Sequence, residues 1–128
     1  KFTAADFYLL ERMRKAFPDK LIFAGFDEMM LPATVLGVDG AIGSTFNVNG
    51  VRARQIFEAA QKGDIETALE VQHVTNDLIT DILNNGLYQT IKLILQEQGV
   101  DAGYCRQPMK EATEEMIAKA KEINKKYF

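Results

Sequence analysis

The sequence has one cysteine, one histidine and no tryptophan. Because Cys105 has no partner in the chain, an internal disulfide is excluded, which fits a reducing compartment and leads us to expect a cytoplasmic protein. His73 is the only histidine, so a metal site built from several histidines within the chain is excluded. We expect no metal site and assign His73 no catalytic role.

Long hydrophobic runs and an excess of basic charge are also absent. No apolar run approaches the length that spans a bilayer. The net charge is -3, so the chain lacks the excess of positive charge that is typical of proteins that bind nucleic acid. With 128 residues, of which 47% are hydrophobic, the composition is that of a globular domain. We expect partners that are small molecules or proteins, with no nucleic acid and no membrane.

The first half of the chain alternates between helical and strand patterns. Short apolar runs at 21–25 and 38–44 predict buried strands, and helices are predicted before, between and after them. After Gly63 only helical patterns follow. Two strands cannot form a stable parallel sheet, and a complete barrel needs about 250 residues. The pattern predicts an α/β fold, namely the C-terminal part of a (β/α)8 TIM barrel followed by an appended C-terminal helical segment.

This fold predicts two parts, the last βα units of the barrel at 1–63 and the helical extension at 64–128. The chain begins at Lys1 without a methionine and enters an ordered pattern at once. We therefore expect residue 1 to be an interior position of a longer protein that supplies the other strands.

Local signals predict where individual helices begin, bend and end. Thr3 and Asp6 have the spacing of a capping box for the first helix. Pro32 predicts a late or irregular start to the helix after the first strand. A third helix is predicted over 51–63, and Asp64 is expected to cap the fourth. The expected buried stripe of that fourth helix contains Val71, Val74, Leu78 and Ile82.

Polar residues gather where the barrel strands are expected to end, which is where barrels carry their functional groups. Three segments qualify: Lys1 to Thr3, Gly25 to Glu28, and Gly43 to Thr45. Each has a structural alternative. The acids are typical of helix starts, the hydroxyls are typical of turns, and the glycines suit tight strand-to-helix connections.

Three short motifs carry a resemblance to a known family. "KFT", "GFDE" and "GAIGST" occur in this order at the three strand ends. With them the chain resembles the second half of the N-acetylneuraminate lyases, or sialic acid aldolases. These belong to the pyruvate-dependent class I aldolases, which also include dihydrodipicolinate synthase. The first motif is short, but the three in order are specific, and the resemblance extends along the whole chain.

The resemblance implies roles for seven residues. Lys1 would be the catalytic amine that forms a Schiff base with the keto carbon of pyruvate or of sialic acid. The substrate-binding residues would be Thr3, Gly25, Asp27, Glu28, Ser44 and Tyr88. The covalent imine on Lys1 would serve in place of a cofactor. The family's catalytic tyrosine and carboxylate-binding hydroxyls would lie upstream, so we expect the chain alone to be inactive.

The implied function is a carbon–carbon lyase of carbohydrate metabolism that reversibly cleaves N-acetylneuraminate to N-acetylmannosamine and pyruvate. One alternative keeps the Schiff base but uses another aldehyde, as in dihydrodipicolinate synthase or keto-deoxy sugar acid aldolases. Another is a catalytically silent barrel that binds a sugar acid. The implied partners are these small molecules, the missing N-terminal half of the barrel, and further copies in a homotetramer.

Overall fold

A computed structural model describes all of residues 1–128, which form βα units followed by helices. The first part contains α1 (Phe7–Ala16), β1 (Phe23–Ala24), a 3-10 turn (Asp27–Met29), α2 (Met30–Val35), β2 (Gly40–Ala41) and α3 (Phe46–Gln61). It is followed by α4 (Ile65–Asn84), α5 (Leu87–Glu97) and α6 (Glu114–Tyr127). The predicted fold class, the last part of a TIM barrel followed by helices, is confirmed. None of the helices is long and apolar enough to cross a membrane.

The sheet is parallel, as the alternation of helices and strands predicts. Phe23 pairs with Gly40 and Ala24 with Ala41. Phe2 forms a further parallel bridge to Ala24 on the other side of β1. The paired segments are shorter than the apolar runs that predicted them, because the pairing of a strand depends on its neighbours as well as on its own residues.

The start of α1 differs from the sequence-based prediction. Asp6 is the N-cap residue, and its carboxylate accepts a hydrogen bond from Leu9 N at 2.8 Å. The Thr3–Asp6 capping box is therefore wrong. The helix starts later than predicted because Phe2 is extended in the bridge to Ala24. Thr3 therefore lies in the connection between the sheet and the helix.

The start of α3 also differs, because the helix begins at Phe46 and not at residue 51. Asn49 interrupts its first turns with non-helical backbone angles, φ -118° and ψ 21°. Its side chain is buried and donates to Thr75 Oγ1 at 3.2 Å, while it accepts from Arg52 Nη1 at 3.0 Å. A kink supported by side-chain hydrogen bonds gives no signal in the hydrophobic pattern.

The other helix boundaries agree with their local signals. The irregular start predicted from Pro32 is the 3-10 turn before α2. Asp64 caps α4 by accepting from Thr67 N at 3.2 Å. Gly63 and Gly99 end helices with φ of 78° and 85°, a region that side chains with a Cβ rarely adopt.

The chain divides into two compact units, residues 1–75 and 76–128, and the boundary lies within α4. The sequence-based division lies earlier, between residues 63 and 64, at the turn before α4. Two apolar clusters form the core of the first unit. One contains Met30, Leu31, Ala53, Ile56, Ala60 and Ala68, and the other contains Leu10, Ile22, Ala24, Ala33 and Val38.

In residues 76–128, α5 packs against α6. The fully buried side chains of this unit include Leu78, Ile82, Ile94 and Ile123. Leu78 and Ile82 are thus buried as predicted, but Val74, in the first unit, is 43% exposed and its assignment to the buried stripe was wrong. The buried positions of α4 therefore differ from the predicted stripe, and two of them, Gln72 and Thr75, are polar. The full set is Ala68, Gln72, Thr75, Leu78, Ile79 and Ile82.

Candidate active site

Three parallel segments of backbone end side by side in the first unit. Phe2 N donates to Phe23 O, and Gly25 N donates back to Phe2 O, both at 2.8 Å. On the other side of β1, Ile42 N donates to Ala24 O at 2.9 Å. The residues that follow these segments therefore lie at one edge of the sheet, as predicted: Thr3, residues 25–28 and residues 43–45.

Lys1 and Thr3 meet over Gly25. A Cβ added at Gly25 would overlap with Thr3 Oγ1 and would lie 2.8 Å from Lys1 Cε and 2.9 Å from the Phe2 carbonyl. Although Lys1 precedes the bridge, its side chain thus reaches forward to Gly25, the residue that follows β1. Only glycine leaves room for both side chains at this point, and an amine and a hydroxyl are brought together as a result.

Asp27 is buried at the same edge, with 7% of its surface exposed. Its Oδ2 atom accepts from Thr45 N at 3.0 Å and from Thr45 Oγ1 at 2.5 Å. A Cβ added at Gly43 would overlap with the Asp27 carboxyl group. Asp27 therefore joins the segment after β1 to the segment after β2, and the absence of a side chain at Gly43 allows it.

The remaining predicted site residues differ in their surroundings. Glu28 is exposed in the 3-10 turn, and Ser44 is half-buried, with its carbonyl accepting from Asn47 Nδ2 at 2.8 Å. Tyr88 belongs to the other unit, near the start of α5, and is 47% exposed. The structure thus brings together the strand-end residues of the first unit, and the roles of all seven residues stay predictions.

Gln72 contacts this region but was missed in the sequence. It lies on α4 and is only 4% exposed. Its Oε1 accepts from Leu31 N at 3.0 Å, and its Nε2 donates to the Asp27 carbonyl at 3.3 Å. The signal that was available is its spacing from Ala68 and Thr75, which predicts a polar residue on the buried face of a helix.

Chemically, this edge offers an amine, hydroxyls and carboxylates. The structure has no group of three or more metal-binding side chains. A lysine amine can add to a ketone to form an imine, which withdraws electrons from the neighbouring bonds. A cavity of about 870 Å³ within residues 76–128 contains none of the predicted site residues. It is lined by Asp81, Asn84, Asn85, Gly86, Glu115, Met116, Ala118, Lys119 and Glu122.

Residues 1–127 match the model of the dihydrodipicolinate synthetase family. The chain belongs to that family. A family member described as N-acetylneuraminate lyase, from Clostridium perfringens, is 98% identical over all 128 residues, which are 44% of its own length. The chain therefore spans less than half the length of the curated relatives it matches.

Solved structures also resemble the chain. One, a structure of CdNal from Clostridium difficile in complex with mannosamine, has 84% identity and a TM-score of 0.97. The match covers 99% of this chain and 44% of that one. Another, N-acetylneuraminate lyase from Fusobacterium nucleatum complexed with pyruvate, has 71% identity and a TM-score of 0.96, over 99% of this chain and 43% of that one.

Proposed function

We propose that the chain is part of a class I aldolase that reversibly cleaves N-acetylneuraminate to N-acetylmannosamine and pyruvate. The observation that carries the proposal is the contact of Lys1, Thr3 and Gly25 at the carboxyl ends of parallel strands. Support for the substrate comes from the 98% identical relative described as N-acetylneuraminate lyase. The solved relatives bound to mannosamine and to pyruvate support the two product classes.

In the proposed reaction, the Lys1 amine adds to the keto carbon of the sugar acid and water leaves, which forms an imine. Once protonated, the imine accepts the electron pair of the C3–C4 bond as the C4 hydroxyl loses its proton. The aldehyde leaves, and an enamine of pyruvate stays on Lys1. Protonation at C3 and hydrolysis then release pyruvate and the amine. The covalent imine supplies the electron sink that a cofactor would otherwise provide.

The remaining residues of the strand ends would bind the substrate. Thr3 lies beside the amine and would hydrogen-bond near the reacting hydroxyl. Glu28 is exposed, so its carboxylate can accept hydrogen bonds from the sugar hydroxyls. Ser44 and Tyr88 would add further contacts. The resemblance assigns proton transfer to a tyrosine outside residues 1–128, in the half of the barrel that precedes Lys1.

The experiment that tests this proposal is reductive trapping. We define the hybrid as a polypeptide in which this chain follows the N-terminal remainder of the Clostridium perfringens relative. Incubated with pyruvate and borohydride, the hybrid should gain the mass of a reduced pyruvate imine on Lys1. The Lys1→Arg variant should gain nothing, and Lys62→Arg, which changes an exposed lysine directly after α3, should react normally. A hybrid without the adduct refutes the aldolase function.

A second function, an aldolase of the same family with another aldehyde, is compatible with the family match. The exposed carboxylate of Glu28, next to the buried Asp27, favours a polyhydroxylated acceptor. Cleavage of N-acetylneuraminate by the hybrid, measured as pyruvate release, separates the two. Imine formation without cleavage would favour the other aldehyde, and the absence of both would favour a silent sugar-acid-binding barrel.

The resemblance also supports an assembly and a compartment. We propose that the complete protein is a homotetramer that acts in carbohydrate metabolism in the cytoplasm. The mass of the hybrid by light scattering tests the assembly, since a monomer or a dimer would contradict it.

A further inference from the structure

The turn that carries Glu28 has an unusual hydrogen-bond pattern. Residues 27–29 form a 3-10 turn, in which Met30 N donates to the Asp27 carbonyl, three residues back. In a regular α-helix, the donor to the Asp27 carbonyl would be Leu31 N. The next helical donor would be residue 32, but Pro32 has no N–H. The backbone around Glu28 therefore lacks a regular first turn of α-helix.

Gln72 contacts both members of that helical pair. Its side-chain oxygen accepts from Leu31 N at 3.0 Å, and its side-chain nitrogen donates to the Asp27 carbonyl at 3.3 Å. The side chain thus bridges the two ends of the segment 27–31. Since Leu31 N is a donor and the Asp27 carbonyl is an acceptor, the amide fits this pair in only one orientation.

The burial of Gln72 gives this bridge its importance. The side chain is 4% exposed, and the residues one turn before and after it on α4, Ala68 and Thr75, are also buried. Burying an amide is unfavourable unless its hydrogen bonds are made. A hydrophobic residue of similar length would fill the same space without that requirement, but it could bind neither the donor nor the acceptor of the turn.

We propose that Gln72 is a positioning residue, which holds the 3-10 turn 27–29 to the start of α2 and so orients Glu28 toward the substrate. Asp27 is attached to Thr45 through its side chain and to Gln72 through its carbonyl. Glu28 follows directly and lies exposed between the two ends of the bridge. The inference rests on the proposed function for the identity of the substrate. The role of Gln72 in fixing the turn does not depend on that function.

The test uses Gln72→Met in the hybrid, because methionine has a similar length and neither hydrogen bond. We expect the KM for N-acetylneuraminate to rise roughly tenfold, the effect of losing about one well-placed hydrogen bond. Imine trapping with pyruvate should stay within about twofold of the unmodified hybrid. The matched control is Gln89→Met, which removes a bond from a glutamine to the Lys110 carbonyl in the other unit.

A second variant, Gln72→Glu, has the same shape and provides a pH signature. Its ionised carboxylate accepts from Leu31 N but cannot donate to the Asp27 carbonyl. Burial raises the pKa of the introduced carboxyl, and the protonated form regains the donor. Relative to the unmodified hybrid at each pH, its KM defect should shrink as the pH falls, whereas a role in packing alone would give no such recovery.

Hydrogen exchange provides a readout that is independent of catalysis. Peptides that contain the Leu31 amide should exchange faster in Gln72→Met than in the unmodified hybrid, and peptides from residues 87–97 should not. The inference would be overturned if exchange at Leu31 or the KM were unchanged in Gln72→Met. It would also be overturned if imine trapping were lost while the KM rose. If the unmodified hybrid forms no imine, the proposed function fails, and exchange alone decides whether Gln72 holds the turn.

Discussion

Thr45 donates two hydrogen bonds to one carboxylate oxygen of Asp27, from its backbone N–H at 3.0 Å and from its hydroxyl at 2.5 Å. The pair joins the segment after β1 to the segment after β2. Because the Asp27 side chain is buried and already bound in this way, the two neighbouring acids are not equivalent. Asp27 organises the ends of the strands, whereas the exposed Glu28 is the carboxylate that a ligand can approach.

Replacing Thr45 with valine should weaken this connection. The Thr45→Val variant keeps the shape and the backbone N–H but removes the hydroxyl, which leaves the buried carboxylate with one donor fewer. We expect the free energy of unfolding of the hybrid to fall by about 2 kcal/mol. Urea denaturation measures the change. Thr80→Val, at an exposed position on α4, should change it by less than about 0.5 kcal/mol, and equal effects would contradict the assignment.

Alanine at the two acids should separate their roles. In the hybrid, Glu28→Ala should raise the KM for N-acetylneuraminate roughly tenfold and leave the melting temperature unchanged, since its side chain is exposed. Asp27→Ala should raise the KM and also lower the melting temperature. Imine formation with pyruvate should survive in both. If Glu28→Ala abolishes imine trapping, the carboxylate has a structural role and does not act on the sugar alone.

The two strand-end glycines should respond differently to one added carbon. Gly25→Ala would drive a methyl group into Thr3 and to 2.8 Å from Lys1 Cε, so imine trapping should be lost. Gly43→Ala would displace the Asp27 carboxyl group and should mainly raise the KM for the sugar acid. Gly50→Ala is the matched control: nothing lies within 4 Å, and in a helix alanine should stabilise by up to about 1 kcal/mol. Normal imine trapping in Gly25→Ala would contradict the close contact of Gly25 with Thr3 and Lys1.

The second unit should lose stability in acid through Asp81. Hydrogen bonds from Lys126 at 2.9 Å and from Tyr127 at 2.8 Å hold the pKa of this carboxyl below its ordinary value of 3.8. A lowered pKa means that ionised Asp81 stabilises the fold above that ordinary value, and that the contribution is lost as the pH falls through the lowered pKa.

The melting temperature of the hybrid should therefore depend on this group at low pH. Asp81→Asn should lower it at about pH 6, and the difference from the unmodified hybrid should vanish toward about pH 2. Asp77→Asn, one turn earlier on α4 and exposed, is the control and should give a smaller difference at pH 6. A difference for Asp81→Asn that does not change with pH would contradict the hydrogen-bonded pair.

The order of elements and most helix ends could be predicted from the sequence, because their causes are local. Gly63, Gly99 and Pro32 restrict their own backbone, and Asp64 bonds an amide three residues away. The three strand-end segments could be predicted as neighbours because parallel strands that alternate with helices end at one edge.

Other features depend on residues distant in sequence and could not be predicted in this way. The helix α1 begins at Asp6 and not at Thr3, because Phe2 pairs with β1. The kink at Asn49 depends on Thr75, and the turn at Glu28 depends on Gln72. A prediction from hydrophobic spacing places polar residues on the exposed face. It therefore assigned Val74 to the buried face of α4 and left out Gln72 and Thr75.

The lack of side chains at Gly25 and Gly43 has a consequence for the design of variants with new aldehyde preferences. Every substitution at these positions introduces a Cβ, so a randomised library there would consist almost entirely of damaged members. Glu28 and Ser44 lie at the same edge with part of their surface open to solvent. A small library at those two positions, with both glycines kept, would vary the ligand contacts and leave the packing of Lys1 and Thr3 against Gly25 unchanged.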